Sequence, residues 1–290
     1  MAIEHPYDDA GEWLRGNLHT HTTESDGERP VAETIADYED RGYDFLAISD
    51  HDTLVDPAAY RDGLDLTLLP GVEITANGSH VLHVGADRAL EPHADRARVL
   101  EDVAAAAGFA VLAHPNWRSA FAHWPQERLR ALDGYRGIEL YNGTVERHEG
   151  SALAADRWDR LLAEGRDVLA FGTDDTHRPV DVATAWTVVR AAERTPAAIL
   201  DALRAGRSYV STGVEITGID VDGGTVAVGT ADADELRLVS DYGRLQAREA
   251  GPDAAFDLPG DLRYGSEHTY ARIECLGAGG AAAWTQALWL

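Results

Sequence analysis

From Leu14 to about Gly213, short apolar runs alternate with stretches whose apolar residues recur at helical spacing. The pattern predicts strands at Leu14 to Thr20, Phe45 to Ser49, Thr67 to Leu69 leading into Gly71 to Ile74, His80 to Val84, Phe109 to Ala113, Gly137 to Tyr141, Val168 to Gly172 and Ala185 to Val189. Helices are expected at Val31 to Arg41, His93 to Ala107, Glu149 to Glu164 and Pro196 to Ala205. The last opens with Thr195 as a cap and a proline at the first helical position, and Gly42, Gly108, Gly165 and Gly206 stand where left-handed helix terminators belong. Strand and helix alternating in this way read as βα units, hence an α/β class. After Gly213 the period shortens to two, broken by glycine, in Ile216 to Val221, Thr225 to Val228, Glu235 to Val239 and Tyr270 to Leu276. That texture predicts a small antiparallel all-β domain over 214–290, following an α/β domain over 1–213.

Composition narrows the chemistry. Cys275 is the single cysteine in 290 residues, so an internal disulfide and a thiolate metal cage are both excluded, and any metal site must use His, Asp and Glu. The chain has 50 acidic against 25 basic residues, and every basic residue is arginine. Without lysine there is no Schiff-base lysine, no phosphate-loop lysine and no Ser-Lys dyad. The net charge of -25 reads as a hydrated surface suited to high salt, a halophilic trait, and the missing basic stripe argues against a grip on duplex nucleic acid. Residues 1–11 carry Glu4, Asp8 and Asp9 and no apolar core, and no run of about 18 apolar residues occurs anywhere. A cytoplasmic setting, without export or membrane spanning, is the expectation.

Possible metal ligands cluster where strands give way to loops: His19, His21 and Asp26; Asp50 and His51; Glu73; His80 or His83; His114; Glu139; Asp175 and His177. On an extended strand, residues two apart point to one side, so His19 with His21, and Asp175 with His177, each present a pair of donors. In a barrel of βα units the C-terminal strand ends share one mouth, which would gather these positions. Imidazole and carboxylate donors suit Zn, Mn or Fe.

These residues resemble a known family. The runs His19-Thr20-His21-Thr22-Thr23-Glu24-Ser25-Asp26-Gly27, Ile48-Ser49-Asp50-His51-Asp52-Thr53, Gly71-Val72-Glu73, Ala113-His114-Pro115 and Asp175-Thr176-His177 look like the ordered motifs of the PHP (polymerase and histidinol phosphatase) domain, over roughly Gly16 to Gly213. Gly42 to Ile48 and Gly206 to Gly213 look like the CehA/McbA-type branch, whose members often carry a β domain after the barrel. The resemblance implies a distorted seven-stranded βα (TIM-like) barrel holding two or three divalent ions. Carried over by position, His19, His21, Glu73 and Asp175 surround the first ion, and Asp26, His51 and His177 the second. Glu73, His114 and one strand histidine take a third. The resemblance favours His80, since family members resembling Ser79 to Gly85 show a histidine at that place, and because His80 and His83 face opposite sides of a regular strand only one of them is expected to reach the ions.

The implied reaction is phosphoester hydrolysis of a small phosphate ester, such as a nucleotide or short oligonucleotide end. Two ions about 4 Å apart clamp a phosphate, and hydroxide held on them attacks. Asp50 and Asp174 precede ligands and are expected to orient them. Glu139 suits either orientation of a water or ligand, or a strand-end hydrogen bond. Asn116, Trp117 and Arg118 after the His114 strand, and Arg178 beside His177, are the substrate-binding candidates, with Trp117 stacking on a ring and an arginine meeting phosphate. His5, His93, His123, His148 and His268 fall outside the motifs and read as surface or packing residues. Two alternatives keep the fold: hydrolysis of a carboxylic ester, carbamate or amide, and a non-catalytic, metal-stabilised binding module. The C-terminal domain, with His268 as its one histidine, reads as interdomain packing or a homodimer surface.

Overall fold

The structure is a computed structural model and describes residues 3–8, 10–258, 260–265 and 268–290. In chain order the elements are β1 (Glu12–Asn17), α1 (Val31–Asp40), β2 (Phe45–Ile48), β3 (Thr67–Ile74), β4 (Val81–Val84), α2 (Arg96–Ala104), β5 (Phe109–Leu112), α3 (Gln126–Ala131), β6 (Tyr135–Asn142), α4 (Ala155–Ala163), β7 (Leu169–Thr173), β8 (Trp186–Ala191), α5 (Pro196–Ala205) and β9 (Ser208–Ser211). Strands alone follow: β10 (Ile216–Asp222), β11 (Thr225–Thr230), β12 (Ala233–Ser240), β13 (Arg244–Ala250), β14 (Asp253–Asp257), β15 (Tyr270–Gly277), β16 (Ala282–Thr285) and β17 (Leu288–Trp289).

Local chemistry accounts for the helices. α1 buries Val31, Thr34, Ile35 and Tyr38, a stripe at helical spacing. α5 is capped by Thr195, whose hydroxyl accepts from the Ala198 amide, and ends on Gly206 at φ +78, a conformation that favours glycine. α3, absent from the strand–helix alternation read above, begins after Pro125 and is only six residues long.

Among the described residues, fourteen strands join one mixed sheet in the order β13-β12-β15-β16-β9-β8-β1-β2-β3-β4-β5-β6-β7, with β17 on β15. β1, β2 and β3 run parallel, as do β5, β6 and β7, whereas β4 is antiparallel to both neighbours. The α/β class is as expected, but no continuous ladder closes β7 onto β1, because the free edge of β1 is taken by the antiparallel β8. The sheet instead curls back: Thr20 bridges Thr176, and the Gly172 amide donates to the Thr187 hydroxyl at 3.0 Å. β9 then pairs with β16, carrying the sheet into the C-terminal strands, while β10, β11 and β14 form a separate three-stranded sheet. One apolar core runs across this junction, with Leu140, Trp158 and Leu162 packed among residues that include Tyr270 and Trp284.

Candidate metal centre

The curled sheet brings the ends of β1, β2, β3, β5 and β7 to one place. Beyond β1 the chain leaves its ladder but stays pinned: the His21 amide donates to Thr176 at 2.8 Å and the Thr20 amide to the Ser49 hydroxyl at 2.9 Å. The intervening Thr20 thus faces away while His19 and His21 project together. His51 bridges Glu73, which stands on β3, and His114 and Asp175 follow β5 and β7. His114 and Asp175 hold positive φ angles of 33° and 54°. Non-glycine residues rarely adopt this region, at about 1–3 kcal/mol each, and such strain collects where side-chain aim matters.

Glu73 is the hub. Its Oε1 lies 3.3 Å from His19 Nε2, 2.9 Å from His80 Nδ1 and 3.1 Å from His114 Nε2. Its Oε2 lies 3.5 Å from His21 Nε2 and 2.8 Å from His51 Nδ1. Asp175 Oδ1 is 3.2 Å from both His19 Nε2 and His21 Nε2 and 3.6 Å from His177 Nδ1. Asp26 Oδ1 is 3.4 Å from His51 Nε2 and from His177 Nε2. Donor atoms fall into overlapping groups within 4.8 Å of one another: His19, His21 and Asp175; His21, Asp26, His51 and His177; His19, Glu73 and His114; and His80, His114 and His123. All nine residues expected as ligands are therefore together. His83 is not with them, since its Nε2 faces the Ala107 carbonyl at 2.6 Å on the other side of β4.

The set fits divalent ions on its own chemistry. His19 Nε2, both ring nitrogens of His21, His51 Nδ1, Glu73 Oε2 and His114 Nδ1 are buried yet make no hydrogen bond, a costly state unless something binds them. Burial opposes a charge on His19, but Asp175, Glu73 and Glu139 outweigh it and hold its pKa well above the ordinary value. Burial likewise opposes ionisation of Glu73, and His19 and His80 nonetheless keep it well below the carboxylate range. Among the described residues no arginine pairs with Glu73, Glu139 or Asp175, so histidines alone offset three buried carboxylates.

Other expected residues take distinct positions. Glu139 Oε1 accepts from His19 Nδ1 at 2.7 Å and from the Thr173 hydroxyl at 2.6 Å, while Oε2 accepts from the His114 amide at 2.6 Å. Asp50 accepts from the Thr22 amide, the Thr22 hydroxyl and Ser25, bracing the loop to Asp26. Asp174 accepts from Tyr38 and from the amides of Ala183, Thr184 and Ala185. Gly143 permits this fit, because a Cβ there would meet the Thr184 hydroxyl oxygen. Asp50 and Asp174 thus hold backbone beside the cluster and touch none of its imidazoles.

A cavity of about 420 Å³ opens over the cluster, lined by Trp117, Arg147, His148 and Arg178 among others. Trp117 and Arg178 stand where the sequence suggested. Asn116 and Arg118 do not: Asn116 is buried against Leu153, Asp156 and Arg157, and the Arg118 guanidinium lies over the Trp117 ring at 4.8 Å without lining the cavity. Arg147 was missed by sequence reasoning; it pairs with the buried Asp181, which also accepts from the His177 and Arg178 amides. His123, read as packing, sits against His80 and His114, with ring centroids 4.7 and 4.6 Å away. His148 reaches the cavity wall.

The family described as PHP-associated (PHP_C) matches residues 160–208. A two-domain protein from Bacteroides vulgatus containing a predicted PHP-like metal-dependent phosphoesterase superposes over 99% of this chain and 98% of its own, with a TM-score of 0.60 at 16% identity. An amidohydrolase from Chromobacterium violaceum, solved with sulfate and no metal, covers 57% of this chain and 88% of its own at 19% identity and a TM-score of 0.38. PsfC from Pseudomonas syringae covers 68% and 89% at 15% identity and a TM-score of 0.44. No curated protein sequence matches the chain. No helix among the described residues is long and apolar enough to cross a membrane. The PHP-associated model thus matches one segment of the chain, and the chain shares its fold with the two-domain Bacteroides vulgatus protein.

Proposed function

We propose that the protein is a metal-dependent hydrolase that cleaves a small phosphate ester, such as a nucleotide or short oligonucleotide end, at the centre built around Glu73. The observation that carries this reading is the buried Glu73 carboxylate, with five imidazoles within 3.5 Å and no hydrogen bond on Oε2. His19, His21, Glu73 and Asp175 would hold one ion, Asp26, His51 and His177 a second, and Glu73, His80 and His114 a third. Such ions supply Lewis-acid charge for a phosphoryl group and an activated water.

The chain itself prepares that chemistry. Glu139 fixes the Nδ1–H of His19 and so turns the Nε2 lone pair toward the centre. Trp117 offers a ring face at the mouth, and Arg147 and Arg178 offer planar N–H groups suited to phosphate oxygens. Two guanidinium groups share the single Asp181 carboxylate, which leaves positive charge at the mouth and favours phosphate over an uncharged carbonyl ester. We assign the chemistry to residues 1–213, framed as a distorted βα barrel, and a packing role to 214–290.

Purified protein loaded with Mn or Zn should release phosphate from a panel of nucleotides and simple phosphomonoesters, with inorganic phosphate as a competitive inhibitor. The pair His19→Ala and His21→Ala should abolish turnover with the fold intact. Full activity in that double variant would overturn the assignment.

A further inference from the structure

His80 differs from the other cluster residues in how its backbone is held. β4 begins at Val81, so the His80 amide lies outside the ladder, and it donates to the Nε2 of His123 at 2.9 Å. Its carbonyl accepts from the Trp124 indole at 3.1 Å and from the Ala113 amide at 3.2 Å. Ser79 is tied to the same segment, its hydroxyl donating to the His123 carbonyl at 2.6 Å. His123 and Trp124 therefore hold His80 at its amide and at its carbonyl, on the two peptide units that flank its Cα.

An imidazole that accepts at Nε2 must be neutral with its proton on Nδ1. The bond from the His80 amide therefore sets the tautomer of His123. Its ring also packs on His114 and on Trp117, at centroid distances of 4.6 and 5.0 Å. His123 does not line the cavity, so it reaches no substrate.

We infer that His123 is a positioning residue: its imidazole fixes the backbone of His80 and thereby sets the Glu73, His80 and His114 site for a divalent ion. The inference rests on the metal-centre reading above and adds a residue that the strand-end motifs do not contain. A hydrogen-bond partner acting through a ligand in this way is worth about 10- to 100-fold in metal affinity.

The test compares His123→Leu with His123→Gln, whose amide oxygen can accept from the His80 amide. Mn and Zn binding is measured by titration calorimetry and by element-resolved metal content, with His80→Ala marking the ion that depends on His80. The expected result is that His123→Leu weakens that same ion about 10- to 100-fold while the remaining ions stay tight, and that His123→Gln restores it. In the metal-free protein, the His80 amide should exchange with solvent about tenfold faster in His123→Leu than in wild type or His123→Gln. Unchanged binding in His123→Leu, or no ion lost in His80→Ala, would overturn the inference. A His123→Gln variant as deficient as His123→Leu would overturn it in favour of direct ligation. Wild type that binds no divalent ion would instead reject the metal-centre reading itself, which keeps the two failures apart.

Discussion

Two regions of this molecule bury charge, and they do so in opposite ways. At the seam between α4 and β15, Asp159 accepts from Arg272 through two bonds of 2.7 Å and from the Tyr270 hydroxyl at 2.8 Å, and Arg272 also meets Glu274. The Asp159 carboxylate and the Arg272 guanidinium are matched there. Around Glu73, His19, His21, His114 and the carboxylate itself are also buried, yet six polar atoms of the cluster make no hydrogen bond. A folded chain tolerates the second arrangement only where an outside partner completes it, so the contrast separates charge that holds structure from charge that awaits a ligand.

The seam should respond most strongly to mutation. Arg272→Met leaves Asp159 buried without its cation and should cost about 3–5 kcal/mol in urea unfolding, with metal affinity unchanged. Loss of metal binding in that variant would show that the two regions are not separable. Chelation is the converse perturbation. Removing ions held at a thousand times their dissociation constant should cost wild type about 4 kcal/mol for each ion lost, and Arg272→Met should lose the same increment when followed by thermal melting. Glu139→Gln keeps the shape but withdraws a charged acceptor from His19 Nδ1; it should weaken metal binding by about tenfold or more, measured by titration, with a smaller change in stability.

The mildest effect belongs to a histidine outside the cluster. Burial depresses the pKa of His83, whose ring faces the Ala107 carbonyl. Below the unfolded value the open chain takes up a proton that the folded one resists, so this contribution is full above that value and is lost as pH falls through it toward the folded pKa. His83→Gln should therefore lose less stability than wild type between pH 7 and pH 5 in paired urea melts. An identical slope in both proteins would assign the acid sensitivity elsewhere.

The cluster was legible in the sequence because strands fix parity and strand ends share a side. His19 with His21 follows from that rule, which also allows only one of His80 and His83 inward; the family resemblance pointed to His80, and the structure puts His80 on Glu73 and His83 on the opposite face. His123 escaped because it belongs to a loop that folds back over β4, where no period marks inward positions. Its one signal was local, a His-Trp pair just before Pro125 and a helix. Arg147 escaped for a similar reason: it is drawn to the mouth by Asp181, 34 residues later in the chain. Asn116 and Arg118 were placed at the mouth by proximity to His114, but the turn after β5 sends Asn116 inward to Asp156. For the overall fold, alternation gave the α/β units and the change of period after Gly213 gave the all-β segment. The pairing of β9 with β16, which makes one sheet of the two, depends on contacts about 70 residues apart that no local pattern encodes.

The central claim is that the unpartnered atoms around Glu73 are a binding site for several cations. Element-resolved metal content per chain, on protein purified with Mn or Zn and dialysed, tests it most directly in wild type beside Glu73→Gln. The account predicts two or three ions per wild-type chain and a loss of at least one in the variant; one ion or none in wild type, or an unchanged count in Glu73→Gln, would contradict it.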